Sequence, residues 1–228
     1  MRHFQRTFTI SSAAGAGISL AVLGVLAAWL LADASPMVVD GSIADAVAEQ
    51  QEDWLRRVAR MLALPGTTVG ALALALAAGC YFWITQRTLT PAVLLVVAYV
   101  GAFSTAFALK RVVDRVAPRF WLERDTGVSF PSSHTARAAA VLGVIVVLVA
   151  MVHGRRVGAV SSIVALVGIS VTVMGQMYLG FHWFTDMIGG LAIGAFWVAI
   201  LVPLAIGRLP RTTDARAGPA PPVDDQAG

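Results

Sequence analysis

Apolar residues along this chain collect into six long runs, near 12–32, 67–85, 89–109, 135–152, 157–179 and 184–206. Each approaches or exceeds the roughly 20 residues an α-helix needs to cross the hydrocarbon core of a bilayer. Helix is the economical conformation there, because every backbone N–H and C=O in lipid must bond within its own segment. The stretch between the first two runs is of another kind. Over 43–62, Ile43, Val47, Trp54, Val58 and Met61 recur mostly at three- and four-residue steps, with Glu49, Glu52, Asp53, Arg56, Arg57 and Arg60 between them. That pattern predicts an amphipathic helix, lying in the headgroup layer or serving as a solvated connector. From about 208 the chain turns to Pro, Ala, Gly and Asp, a composition that cannot bury a core. The expected fold is all-α and integral to the membrane: a six-transmembrane-helix bundle over 1–207, then a disordered tail over 208–228. Arg2 and Arg6 ahead of the first run, and Ala32-Asp33-Ala34 at its end, imitate a secretory leader. The length of that run and the five spans behind it predict a retained anchor instead.

Composition agrees with the pattern. The 228 residues are 57% apolar and only 13% charged, where a soluble domain carries about a quarter charged residues. The chain is one bundle in size, with no room for a second domain. A net charge of +4 suits a membrane surface, and no basic stripe points to nucleic acid. Cys80 is alone, which excludes a disulfide or a cysteine metal site, and no cofactor or metal is expected. Of the seventeen basic residues sixteen are arginine, so the lone lysine, Lys110, stands out. Basic residues in the loops and termini, Lys110 among them, divide evenly between the two membrane faces. Setting aside the cluster at 110–124 as ligand-binding leaves Arg2 and Arg6 to place the N-terminus in the cytoplasm. The expected location is a bacterial inner membrane, with the 110–133 loop and both histidine segments facing outward.

Those segments, Phe130-Pro131-Ser132-Ser133-His134-Thr135 and Gly180-Phe181-His182-Trp183-Phe184-Thr185-Asp186, hold two of the four histidines. Six spans bring them and the 110–133 loop to one membrane face whichever way the bundle is inserted. Ionisable groups at the mouth of an apolar bundle are costly and read as functional. Asp186 lies four residues after His182, within helical reach of its imidazole, where it can fix the tautomer and leave the other ring nitrogen to attack. His134 is placed to protonate a leaving oxygen. Ser132 and Ser133 supply hydroxyls and N–H groups at a helix start, a cradle for an anion, and Lys110 offsets its charge. The expected ligand is an anion that approaches from the membrane.

The chain resembles the type 2 phosphatidic acid phosphatase family of integral-membrane lipid phosphatases, which carry the motifs K-x6-R-P, P-S-G-H and S-R-x5-H-x3-D. Lys110 and Pro118 match the first motif, Ser132 and His134 the second, His182 and Asp186 the third. The resemblance spans nearly the whole chain. It implies a metal-independent phosphatase in which His182 becomes phosphorylated, Asp186 orients it and His134 serves as acid. It further implies a membrane lipid phosphate as substrate: phosphatidic acid, phosphatidylglycerol phosphate, a polyprenyl pyrophosphate or a polyprenyl-linked sugar phosphate.

The chain departs from the motifs at Ala117 and Gln176, where the family has arginine, at Gly175, where it has serine, and at Ser133, where it has glycine. Arginine clasps phosphate in a bidentate, permanently charged fork that alanine and glutamine cannot reproduce. Arg119, just past Pro118, and Arg137, three residues after His134, are the residues placed to compensate; Arg137 can equally snorkel to the headgroups. Arg111, Arg115 and Arg124 read as loop residues meeting lipid phosphates. Trp121 and Trp183 read as interfacial anchors, and His153 falls on the opposite face. Three functions stay open: lipid phosphate hydrolysis, transfer of the phosphoryl group to another acceptor, and binding or scaffolding on the same fold with weak or no hydrolysis.

Overall fold

The computed structural model describes residues 2–33, 35–118 and 127–206, with the backbone alone over 2–10. The expected tail over 208–228, Arg119, Trp121 and Arg124 lie outside the described residues. The described chain is helical throughout apart from its connections: α1 Arg2–Ala32, α2 Val38–Ala48, α3 Asp53–Leu62, a 3-10 turn Leu64–Gly66, α4 Thr68–Gln86, α5 Thr90–Val113, α6 Ser133–His153, α7 Arg155–Tyr178 and α8 Phe184–Ile206. Six of these, α1 and α4 to α8, are long and apolar enough to cross a membrane. Their bounds fall close to the six apolar runs.

Local chemistry sets the ends. Thr67 caps α4, its hydroxyl accepting the Gly70 N–H at 3.0 Å, and Pro91 occupies the first turn of α5, where a missing N–H costs nothing. Asp114 adopts a left-handed conformation, φ 46°, and ends α5 one turn after Lys110. Ser132 caps α6. A single residue, Gly154, separates α6 from α7.

Helix α6 is the centre of the bundle, packed against α5, α7 and α8, with α1 against α8 and α4 against α5. Its inward face is built from Ala136, Ala140, Val141, Val144 and Leu148, all buried. Large apolar side chains elsewhere point outward, among them Val69, Leu76, Ile163, Val164, Leu166 and Val167. An apolar exterior around an apolar core is the arrangement lipid requires. Close packing of α8 on α6 depends on Gly190, where a Cβ would sit 2.6 Å from the Ser132 carbonyl oxygen. That absence of a side chain brings the starts of the two helices together.

The region read as one amphipathic helix over 43–62 is two helices with a break at 49–52. Tyr178, at the end of α7, occupies the break. Its hydroxyl donates to the Gln50 carbonyl at 2.8 Å and accepts the Glu52 N–H at 3.0 Å. Gln51 Nε2 donates to the Tyr178 carbonyl at 3.2 Å. Helix α3 keeps the amphipathic character: Trp54, Val58 and Met61 are exposed along one side, and Ala59 is buried against α7. Gly175 makes that contact possible, since a Cβ there would lie 2.6 Å from the Ala59 carbonyl oxygen.

Candidate active site

The ends of α5, α6, α7 and α8 meet on one side of the bundle. Lys110 sits in the last turn of α5, half-buried, and donates from Nζ to the carbonyls of Val128 (2.5 Å) and Ser129 (2.8 Å). The returning chain is held to the outgoing one by an isolated β-bridge between Val116 and Val128 and by the Ser129 N–H on the Arg115 carbonyl at 2.7 Å. Ala117 and Pro118 are buried in this connection.

At the start of α6, Ser132 is fully buried. Its Oγ accepts the Thr135 N–H at 3.3 Å, and its own N–H donates to the Asp186 carbonyl at 3.0 Å. One strand of backbone thus stitches α6 to α8. The N–H groups of Ser133 and His134 have no partner among the described residues, as expected for the first turn of a helix. His134 is partly open, and its ring lies edge-on to that of His182, centroids 6.4 Å apart at 62°.

His182 lies in the turn before α8, not on the helix, and Asp186 in the helix's first turn. The pair therefore meets across a helix start and not along the expected helical face. Asp186 Oδ2 accepts the Trp183 N–H at 2.8 Å and stands 3.6 Å from His182 Nδ1, beyond hydrogen-bond length. Nδ1 is buried and has no hydrogen-bond partner among the described residues. A cavity of about 10 Å³, near the lower limit for one water, is lined in part by Asp40, Met177, His182 and Trp183. Burial pushes the His182 imidazole below the ordinary histidine value; Asp186 pulls it back up, and the Lys110 ammonium lowers it.

Two arginines are placed differently from what local spacing suggests. Arg115, read as a headgroup residue, is 1% exposed. Its Nη1 donates to Asp186 Oδ1 and to Thr185 Oγ1, both at 2.7 Å, and its Nη2 to Asp40 Oδ2 at 2.6 Å. Asp40, on α2, was missed in the sequence. Its one available signal was a carboxylate next to the apolar Met37-Val38-Val39. Arg137 does not snorkel. It is 2% exposed, with Nε and Nη2 donating to the Gly66 carbonyl at 3.1 and 3.0 Å and Nη1 to Thr68 Oγ1 at 3.2 Å. Two of the three nitrogens serve the 3-10 turn ahead of α4, and the third serves the first residue of α4. Trp183 is half-buried over the site, its Nε1 donating to the Val116 carbonyl at 2.8 Å.

Gln176 is buried near the end of α7, and its Oε1 has no partner among the described residues. A larger groove lies elsewhere, of about 530 Å³, whose lining includes Ala139, Val147, Ile169, Leu191 and Val198 and no titratable side chain.

Paired histidines, one backed by a carboxylate, thus stand at one end of a bundle with six helices long and apolar enough to cross a membrane. The family model of the PAP2 superfamily matches residues 89–208, and the chain belongs to that superfamily. It is 29% identical over 167 residues to phosphatidylglycerophosphatase B of Bacillus subtilis (strain 168), covering 68% of this chain and 77% of the relative. Its fold matches the crystal structure of a transmembrane PAP2 type phosphatidylglycerolphosphate phosphatase from Bacillus subtilis, with a TM-score of 0.70 and 25% identity. That match covers 83% of this chain and 96% of the other. The protein is thus a multi-pass membrane protein of the PAP2 phosphatase superfamily.

Proposed function

We propose that the chain hydrolyses a membrane lipid phosphate through a phosphohistidine at His182. The observation that carries this reading is the approach of the His134 and His182 rings to 6.4 Å with Asp186 behind His182. With Nδ1 turned toward Asp186, Nε2 is the attacking atom. It forms the N–P bond in line as the bond to the leaving oxygen breaks, and protonated His134 gives its proton to that oxygen. Water then attacks phosphorus while neutral His134 takes its proton, the N–P bond breaks, and phosphate leaves with both histidines restored. Asp186 stabilises the positive charge that develops on His182. Lys110, whose ammonium keeps a third N–H, and the Ser133 and His134 N–H groups hold the phosphate oxygens, with Ser132 fixing the helix start that aims them. Arg119 is proposed as a further phosphate ligand. Arg137, with its donors spent on Gly66 and Thr68, is assigned a supporting part.

The relatives suggest phosphatidylglycerol phosphate as the first substrate to assay. The site is proposed to face away from the cytoplasm, on the charge argument of Arg2 and Arg6. The test is phosphate release by the purified protein from vesicles carrying phosphatidylglycerol phosphate, phosphatidic acid or a polyprenyl pyrophosphate. Release from at least one, abolished by His182→Ala, supports the reading; an unchanged His182→Ala overturns it.

A second reading has its own observation. Ala117 and Gln176 place buried, uncharged side chains where the family motifs carry arginine. A protein that binds a lipid phosphate with little turnover fits that loss. A silent wild type made active by Ala117→Arg with Gln176→Arg would establish it.

A further inference from the structure

Two carboxylates and one guanidinium are buried together beside His182, and only one of the three was legible as part of the site. Arg115 stands between Asp40 and Asp186, its two terminal nitrogens divided between them at 2.6 and 2.7 Å. Thr185 closes the group. Its hydroxyl accepts from Arg115 and donates to Asp40 Oδ2 at 2.7 Å, and its N–H donates to Asp40 Oδ1 at 2.9 Å. Side-chain exposure is 1% for Arg115 and 0% for each carboxylate, so these charges act on one another through protein and not through water.

We infer that Asp40 and Arg115 are positioning residues that set the orientation and effective charge of Asp186, and through it govern His182. Arg115 occupies Asp186 Oδ1 and the Trp183 N–H occupies Oδ2. The carboxylate cannot rotate, and the oxygen it presents to His182 is fixed. Its charge is divided as well. A guanidinium serving Asp186 alone would neutralise the carboxylate that must stabilise an imidazolium. Asp40 takes a share of that guanidinium, which leaves Asp186 negative toward His182. Helix α2, which lies outside the six spans, thereby reaches the reacting group. The titratable groups acting on His182 are Asp186 from α8, Lys110 from α5 and His134 from α6; Arg115, from the connection after α5, stands behind Asp186, Asp40 from α2 shares a cavity lining with His182, and Arg137 acts on His134.

A merely structural ion triad predicts lost stability and no more. Charge coupling predicts shifts of opposite sign. Removing the cation by Arg115→Met makes protonation of His182 easier. Neutralising Asp40 by Asp40→Asn leaves Arg115 less compensated and makes it harder. The experiment is an NMR pH titration of His182 in the full chain, histidine-labelled, in detergent micelles, with the resonance assigned by its loss in His182→Gln. Expected midpoints move up in Arg115→Met and down in Asp40→Asn, each by roughly half a pH unit or more. Turnover in both variants falls by roughly ten- to a hundred-fold with KM little changed, and Arg115→Lys, which keeps charge without the fork, recovers part of the titration shift. Unmoved midpoints in folded variants, or movement in one direction, would overturn the inference. Should Arg115→Met fail to fold, the near-isosteric Asp40→Asn decides alone. The role of Asp186 in turnover rests on the phosphohistidine reading, but the titration does not. A wild type that releases no phosphate sinks the earlier proposal and leaves this one to be decided by the midpoints.

Discussion

His182 Nδ1 stands 3.6 Å from Asp186 Oδ2, close enough for charge to act and too far for a hydrogen bond. Because Asp186 is anchored by Arg115 and by the Trp183 N–H, closing that gap falls to His182. In the proposed reaction, shortening as positive charge develops on the ring would make the contact stronger in the transition state than before it, the condition for accelerating a reaction. Asp186→Asn is therefore expected to lower kcat by about a hundred- to a thousand-fold with a small effect on KM, measured by phosphate release from lipid vesicles. An equal rise in KM with kcat preserved would assign Asp186 to substrate binding.

His134→Gln separates the two halves of the reaction. Without the proton relay, breakdown of a phosphohistidine slows by about a hundredfold or more, so labelled phosphate is expected to stay on the protein, acid-labile and absent from His182→Ala. A substrate with a good leaving group favours its accumulation. Labelling of the double variant lacking both histidines would place the acceptor elsewhere.

The pH response has a definite sign. Burial depresses His182, so protonation of the ring is expected below the ordinary value of 6.5. The acid limb of kcat/KM that belongs to this group is expected below 6.5. Stability follows the same direction. The unfolded chain takes up a proton near 6.5 while folded His182 resists it, so this contribution is present above 6.5 and lost as pH falls through the lower folded value. Thermal melts of wild type and His182→Gln at pH 5 and pH 7.5 check it: the wild type loses more on acidification.

Gly190→Val tests how the site is aligned. The added side chain collides with the Ser132 carbonyl, where a Cβ alone would already be 2.6 Å away. A cost of about 1–3 kcal/mol and a loss of turnover are expected together, since the contact that strains is the one that sets His134 against Asp186. A destabilised variant with unchanged kcat would show that alignment survives the strain.

Arg137→Ala removes bonds to Gly66 and Thr68 and leaves a buried carbonyl without its donors. The expected outcome is a stability loss of roughly 1.5–3 kcal/mol with KM for the lipid phosphate nearly unchanged. A large rise in KM with normal melting would return Arg137 to the phosphate.

What could be read from the sequence follows from the range of the interactions. The six spans are written in contiguous runs of apolar residues, and His134, His182 and Asp186 lie in short motifs, so each was visible locally. The break between α2 and α3 was not, because Tyr178 makes it from more than a hundred residues away. Arg115 was misjudged for the same reason. Its neighbours in sequence are polar or exposed, and the two carboxylates that bury it lie 75 positions before and 71 after. Spacing rules reach along a helix face; an ion triad assembled from α2, a loop and α8 leaves no periodic trace.

The hydrogen bond from the Ser132 N–H to the Asp186 carbonyl joins the starts of α6 and α8 into one corner. A tilt of either helix within the bilayer would load that bond and the close approach at Gly190, so the separation of the His134 and His182 rings is tied to how firmly the two helix starts stay joined.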